Sequence, residues 1–282
     1  MASTSSTSTP QPAPWKAQFL DHLSKMDSPE FVFSSLTPAP NKASPVEYLP
    51  RARYCIYRGL WAELPENKHN DAERNERCFE SEMPTFTTDV RMNKTFEVFA
   101  SSSGHAKERE QAQGSGGGGP CEAVWWIKGD TMVQWRMQGE AFVVGPDIEG
   151  EGEQSKESSG VRTVKSELGG RMRVVKEDGK DQWSWKRELR GHFGNISPGM
   201  RGSFKNPPPG LPVDKPYDES KNQIGQKVGD LDDEVARENF RVVVIKPEMV
   251  ESVDLSDPTK ARRQQYMYDE SSGKWSHIET WP

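Results

Sequence analysis

Residues Pro50 to Leu64 read PRARYCIYRGLWAEL, and from Arg53 to Arg58 the stretch alternates with the period of a β-strand. Tyr54, Ile56 and Arg58 fall on one face; Arg53, Cys55 and Tyr57 fall on the other. Tyr, Ile and Cys suit a pleated, half-buried surface. Arginines do not, unless something anionic meets them there. Two partners could do so: carboxylates of the chain itself, the usual outcome for a buried charge, or an external anion.

The next ordered pieces lie just downstream. Leu64 to Glu82 is polar, with a turn and the start of a strand. Thr85–Asp89 (TFTTD) ends a strand, and Met92–Ala100 (MNKTFEVFA) has helical spacing, with Phe96 and Phe99 turned to a core. Asp89 is the candidate N-cap. This join places Thr87, Thr88, Asn93 and Lys94 close together. A helix start with its free N–H groups suits a phosphate; an ordinary capped helix with Lys94 in solvent is the plain alternative.

Upstream, Trp15, Phe19, Leu20 and Leu23 share one face of a helix that Asp27-Ser28-Pro29 breaks. EFVFSSL is a short helix or an extended piece. Residues 1–13, rich in Ser, Thr and Pro, read as a disordered leader. Further on, residues 101–120 end in GSGGGGP and read as a flexible surface insertion, its glycines as linker. A hairpin follows: Glu122–Lys128, a turn at Gly129-Asp130, and Met132–Val144. On its second strand Gln134, Arg136 and Gln138 share a face that either meets solvent or lines a site.

Residues 147–180 form a second polar insertion with two possible strand fragments, VRTVKSEL and RMRVV. A helix begins near Trp183, burying Trp185, Leu189 and Phe193, and ends in a proline turn; residues 211–238 are a charged connector. The end is β: Phe240–Ile245, bounded by Lys246-Pro247, then Met249–Leu255, Arg262–Tyr268 and Lys274–Thr280. Short strands separated by turns imply a mainly β fold, an antiparallel barrel with covering helices in one domain over 14–282.

Composition bounds the function. The 282 residues carry 37 basic and 43 acidic side chains, net −6, which speaks against a general nucleic-acid surface. Cys55, Cys78 and Cys121 form neither a metal pattern nor a disulfide framework, and suit a reducing compartment. No apolar run spans a bilayer, and the N-terminus has neither a secretory nor a mitochondrial signature, so a cytoplasmic protein with no membrane partner is expected. There is no P-loop, GxGxxG, HExxH or GxSxG motif, and His22, His69, His105, His192 and His277 have no ligand spacing, so no metal is expected.

Five pieces in order carry a likeness: PRARYCIYRG (50–59), PTFTTDVRMNK (84–94), EAVWW with VQWRMQGEA (122–141), FGNISPGMRGSFKNPPPG (193–210), and the ending from FRVVVIKPEMVESVDL through RRQQYMY to WSHIETWP. Together they resemble the pyridoxamine 5'-phosphate oxidase-like family of FMN-binding split barrels, in the branch described as an FMN-binding domain. The resemblance implies a six-stranded antiparallel split β-barrel and a homodimer with FMN at the subunit interface. Carried over, Arg53, Tyr54, Cys55 and Ile56 hold the flavin phosphate and ribityl chain, and Arg58 lies near flavin or substrate. Thr87 and Thr88 match the strand end. Met92, Asn93 and Lys94 match a Ser-Arg-Lys phosphate motif of which the lysine alone survives, with Arg91 a possible substitute. Gln134 matches a flavin-ring contact, and Arg263 the arginine opening the penultimate strand. Ser197, Arg201 or Ser203 could serve a substrate, or Arg201 could simply tie its segment to the barrel. Asp257 to Arg262 lacks the histidine of the true oxidase's substrate motif. An FMN-dependent oxidoreductase acting on a small molecule is expected; alternatives are a flavin- or haem-binding barrel without turnover and a true pyridoxamine/pyridoxine 5'-phosphate oxidase.

Overall fold

Strand β8 (Phe240–Asp254) is the axis of the fold. The computed structural model describes residues 12–41, 44–129, 131–150 and 158–282, so all but the last two residues of the expected leader lie outside the described residues. In chain order the remaining elements are α1 (Lys16–Leu23), β1 (Glu30–Pro38), β2 (Tyr48–Ile56), β3 (Phe79–Glu80), β4 (Thr85–Asp89), α2 (Asn93–Ala100), β5 (Gly116–Ile127), β6 (Val133–Val144), α3 (Ser159–Gly169), β7 (Arg173–Val174), α4 (Trp185–Asn195), α5 (Pro198–Ser203), α6 (Glu234–Asn239), β9 (Arg262–Asp269) and β10 (Lys274–Thr280).

All the pairings are antiparallel. The main sheet runs β10-β9-β8-β6-β5-β1-β2, and β4 also pairs with β8. β6 follows one side of β8 throughout, whereas the other side is shared: β4 pairs with Phe240 to Val244 and β9 with Met249 to Asp254. The change of neighbour falls at Pro247, which has no N–H to donate and sits at a register shift opposite Gly139. Gly139 is required there, since a Cβ would run into the Lys246 carbonyl. The expected two strands, Phe240–Ile245 and Met249–Leu255, are therefore one bulged strand.

Six strands, β4-β8-β6-β5-β1-β2, curl until their ends meet. Just past β2, Arg58 N–H donates to Thr85 O at 2.8 Å and Thr85 N–H to Gly59 O at 2.9 Å. The ladder does not continue, so the sheet is a split barrel rather than a closed one. β2 starts earlier and stops sooner than Arg53 to Arg58, and it is an edge strand. EFVFSSL is extended, as β1.

Two cores flank β8. Inside the curl, Trp15, Phe19, Phe31, Phe33, Phe86, Trp125 and Trp135 are buried with Val243 and Ile245; on the other side Val242 and Val244 pack with Trp61, Leu168, Leu189 and Phe193. Burying each such side chain contributes about 1.5–3 kcal/mol. The second core explains two corrections. VRTVKSEL is helix α3, not a strand: Val161, Val164 and Leu168 recur at helical spacing and are buried. It is anchored by Lys246, which binds Glu167 at 2.7 Å and Glu140 at 2.8 Å. RMRVV supplies only the short β7, paired with β3.

The glycine run is not linker. Gly116 to Gly119 begin β5, beneath α2, and a Cβ on Gly119 would meet the Val98 carbonyl. The glycines let helix and strand backbones approach closely. Asp89 does not cap α2; the N-cap is Met92, whose side chain makes no capping bond. The Asp89 carboxylate instead accepts from Arg91 N–H at 2.8 Å.

Candidate functional site

The ends of β2 and β4 and the start of α2 open onto one cavity of about 430 Å³, within the size range of cofactor sites. Tyr54, Cys55, Ile56 and Arg58 form one wall; Thr87, Thr88, Asp89, Met92 and Lys94 form the next. The opposite wall is Met200, Ser203 and Phe204 of the α5 region, with Asn206, Pro207 and Pro209. Antiparallel β2 and β4 bring distant sequence positions together here because the barrel seam holds Arg58 against Thr85.

The cavity is electropositive. Lys94 Nζ donates to Thr88 Oγ1 at 3.2 Å and to Met92 Sδ at 2.9 Å, and makes no ion pair among the described residues. Burial pulls its pKa below the ordinary lysine value. Arg58 likewise has no ion pair there; its Nε is buried without a hydrogen-bond partner, and burial lowers its pKa. Asp89, the carboxylate on the wall, is neutralised by Arg91, whose Nε lies at 3.0 Å and Nη2 at 2.7 Å. The Cys55 thiol is pushed up to about 11 by burial and is neutral at ordinary pH. Two cations with no ion pair among the described residues, a threonine hydroxyl and an uncapped helix start together suit an anion with several acceptor oxygens.

The other expected site residues lie elsewhere. Arg53 is off the cavity wall: its guanidinium is bound by the Glu97 carboxylate and donates to Ser35 Oγ at 2.6 Å. A carboxylate of the chain itself has met it. Arg91 is occupied by Asp89, Asn222 and the Phe204 carbonyl, and Asn93 accepts from Arg109. Arg201 is buried, donating to the carbonyls of Val228, Gly194 and Ile196 at 2.8, 3.2 and 2.9 Å, so it ties its segment down. Ser197 caps α5. Gln134 and Arg263 share a row of the sheet, both aligned with Val253 of β8. Neither lines the cavity, and Arg263 Nε is buried without a partner.

Met200, Phe204, Asn206, Pro207 and Pro209 were missed as site residues. Their signal was the proline turn after α5, which reads as a loop until the fold lays it over β4. Two larger clefts exist, about 560 Å³ beside Trp183 and Trp185 and about 720 Å³ beside the glycines of β5. In the first, Arg187 and Arg190 are paired with Glu73 and Asp232; the second is lined mainly by glycines, serines and Asp147. Lys186 lines the first and Lys107 the second, but both are exposed; what selects the 430 Å³ cavity is that its cations, Arg58 and Lys94, are half-buried without an ion pair among the described residues. Among the described residues, no group of three or more His, Cys, Asp or Glu converges as a metal site, and no helix is long and apolar enough to cross a membrane.

Residues 12–145 match the family model described as pyridoxamine 5'-phosphate oxidase, FMN-binding domain. No curated protein matches the chain. Among solved structures it is similar to a pyridoxamine 5'-phosphate oxidase-related, FMN binding protein from Nostoc punctiforme. That match has 16% identity and a TM-score of 0.52, covering 96% of this chain and 99% of that one. PhzG from Burkholderia lata, in complex with tetrahydrophenazine-1-carboxylic acid, gives 11% identity and a TM-score of 0.43 over 94% and 90%. The first of these likenesses fixes the split-barrel fold.

Proposed function

We propose, for a chain whose residues 12–145 belong to the pyridoxamine 5'-phosphate oxidase FMN-binding domain family, that it binds FMN in the electropositive cavity and acts as an FMN-dependent oxidoreductase on a small molecule. One observation carries this reading: Lys94 and Arg58, neither ion-paired among the described residues, face one cavity with Thr88 and the uncapped start of α2. The donor set fits a phosphate monoester. Lys94, Thr87, Thr88 and the first N–H groups of α2 would hold the phosphate, and each charge-assisted bond would contribute about 1.5–3 kcal/mol. The backbone of Tyr54 to Ile56 would run beside the ribityl chain, with Arg58 toward the flavin or its substrate.

FMN, when bound, supplies the redox chemistry; the protein supplies position and electrostatics. No side chain of the cavity is assigned as an acid or base. Gln134 and Arg263 belong to the reading only in a homodimer, where the sheet face of one copy would cover the cavity of the other. Tyr54 and Met200 are exposed at the cavity's rim, as such a contact would need. A cytoplasmic setting is part of the proposal and fits three free, buried cysteines.

The test is the visible absorption spectrum of the purified protein, followed by release and identification of the chromophore. Two flavin bands with FMN released, reduction by a pyridine nucleotide or substrate and reoxidation afterward are the expected result. Flavin that binds but never turns over would leave a binding protein; failure to take up added FMN would overturn the site.

A further inference from the structure

We propose that Met92 gates the phosphate subsite: its thioether competes with phosphate for the two side-chain donors that phosphate would use. The inference rests on the FMN reading above. It concerns an atom that this reading leaves unused.

Three contacts form a closed triangle. Lys94 Nζ donates to Met92 Sδ at 2.9 Å and to Thr88 Oγ1 at 3.2 Å, while Thr88 Oγ1 lies 3.7 Å from the same sulfur. Sulfur thus stands where the ammonium and the hydroxyl converge. Backbone geometry puts it there: Met92 is the extended N-cap of α2 (φ −75°, ψ 149°), and its side chain bonds none of the helix's N–H groups.

A thioether is a weak acceptor, whereas a phosphate oxygen accepts charge-assisted bonds. Phosphate therefore wins the exchange, but at a cost, because the sulfur must leave first. It has the means to leave. Methionine has three rotatable bonds, and Met92 is 37% exposed at the cavity rim. The apparent affinity then falls by the fraction of molecules with the sulfur swung away. Met92 so sets how tightly phosphate-bearing flavin is held, without touching the redox centre. If Met92 instead packs usefully on the flavin, its removal must weaken binding.

The experiment is a fluorescence-quenching titration of flavin-depleted wild type, Met92→Ala and Met92→Leu with FMN and, separately, with riboflavin, which lacks the phosphate. Leucine keeps the bulk and removes the acceptor, and it carries the test if the alanine variant folds poorly. Both variants should bind FMN about three- to tenfold tighter, with riboflavin unchanged. In the double variant Met92→Ala, Lys94→Ala the gain should vanish. Unchanged or weaker FMN binding in the single variants overturns the gate, as does a gain shared equally by riboflavin. Wild type and variants that all fail to take up FMN would instead overturn the reading beneath it.

Discussion

Arg53 of β2 and Glu97 of α2 are bound to each other, and the Glu97 carboxylate also accepts the Ser35 hydroxyl at 2.6 Å. The Glu97 side chain is only 3% exposed. The most conspicuous arginine of the sequence is therefore committed to holding a helix on a strand.

Replacing Arg53 with Ala should accordingly cost stability rather than cofactor. It strands a buried carboxylate, which costs about 3 kcal/mol. The expected outcome is a clear fall in the urea midpoint, with FMN affinity down by less than about tenfold, or 1.4 kcal/mol. A variant of normal stability that has lost FMN binding would restore Arg53 to the phosphate.

Lys94→Ala should behave in the opposite way. Among the described residues Lys94 bonds only a hydroxyl and a sulfur, so its loss leaves no ion-paired carboxylate there without a partner. FMN affinity should fall at least about tenfold, from the loss of one charge-assisted bond of about 1.5–3 kcal/mol. Riboflavin affinity should not change. Parallel loss of both ligands would place the phosphate elsewhere.

Glu188 should make stability depend on pH. It is buried beside His192, and its carboxylate accepts from Ala62 N–H and Asn75 Nδ2, both at 3.0 Å. Burial nevertheless raises its pKa from 4.5 to about 7. The fold thus favours the protonated form. Its contribution is fully present below pH 4.5 and is lost as pH rises from there through about 7. Glu188→Gln should match wild type at pH 4.5 and exceed it by up to about 3 kcal/mol at pH 8. His192 acts oppositely: burial lowers its pKa from 6.5 to about 3, so acid removes its stabilisation in both proteins. Denaturant melts across this range check the difference; a gap that does not widen between pH 4.5 and 8 refutes it.

Arg201→Met should loosen the far wall of the cavity. Three carbonyls, of Val228, Gly194 and Ile196, lose their donor. Each orphaned acceptor costs about 1–3 kcal/mol where water cannot replace the donor. A lowered melting temperature and faster amide exchange over 194–209 are expected. Unchanged protection there would mean that α5 is held by its apolar contacts alone.

Much of the fold was legible in the sequence because one-dimensional patterns carry it. The alternation in Val133 to Gln138 and the helical spacing of Trp15, Phe19 and Leu23 need only a buried side to be read. Errors gathered where composition stood in for periodicity. Gly116 to Gly119 read as linker because glycine is flexible in isolation; here its missing Cβ lets α2 approach β5. VRTVKSEL read as strand because Val and Thr favour strands, yet its buried positions recur every three or four residues.

The candidate site divides along the same line. By itself, the sequence determined that Thr88 and Lys94 sit together, because a strand end and a helix start adjacent in the chain must be neighbours in space. It also determined that Arg53 needs an anionic partner. Only the tertiary structure decided which anion, since Glu97 is 44 residues away and reaches Arg53 through the packing of α2 on β1 and β5. Only the tertiary structure laid the segment from Met200 to Pro209 over β4 and left Arg58 and Lys94 without an ion pair among the described residues, the Asp89 carboxylate beside them being held by Arg91. The physical reason is that a charge's role depends on its distance to other charges, and folding, not sequence separation, sets that distance.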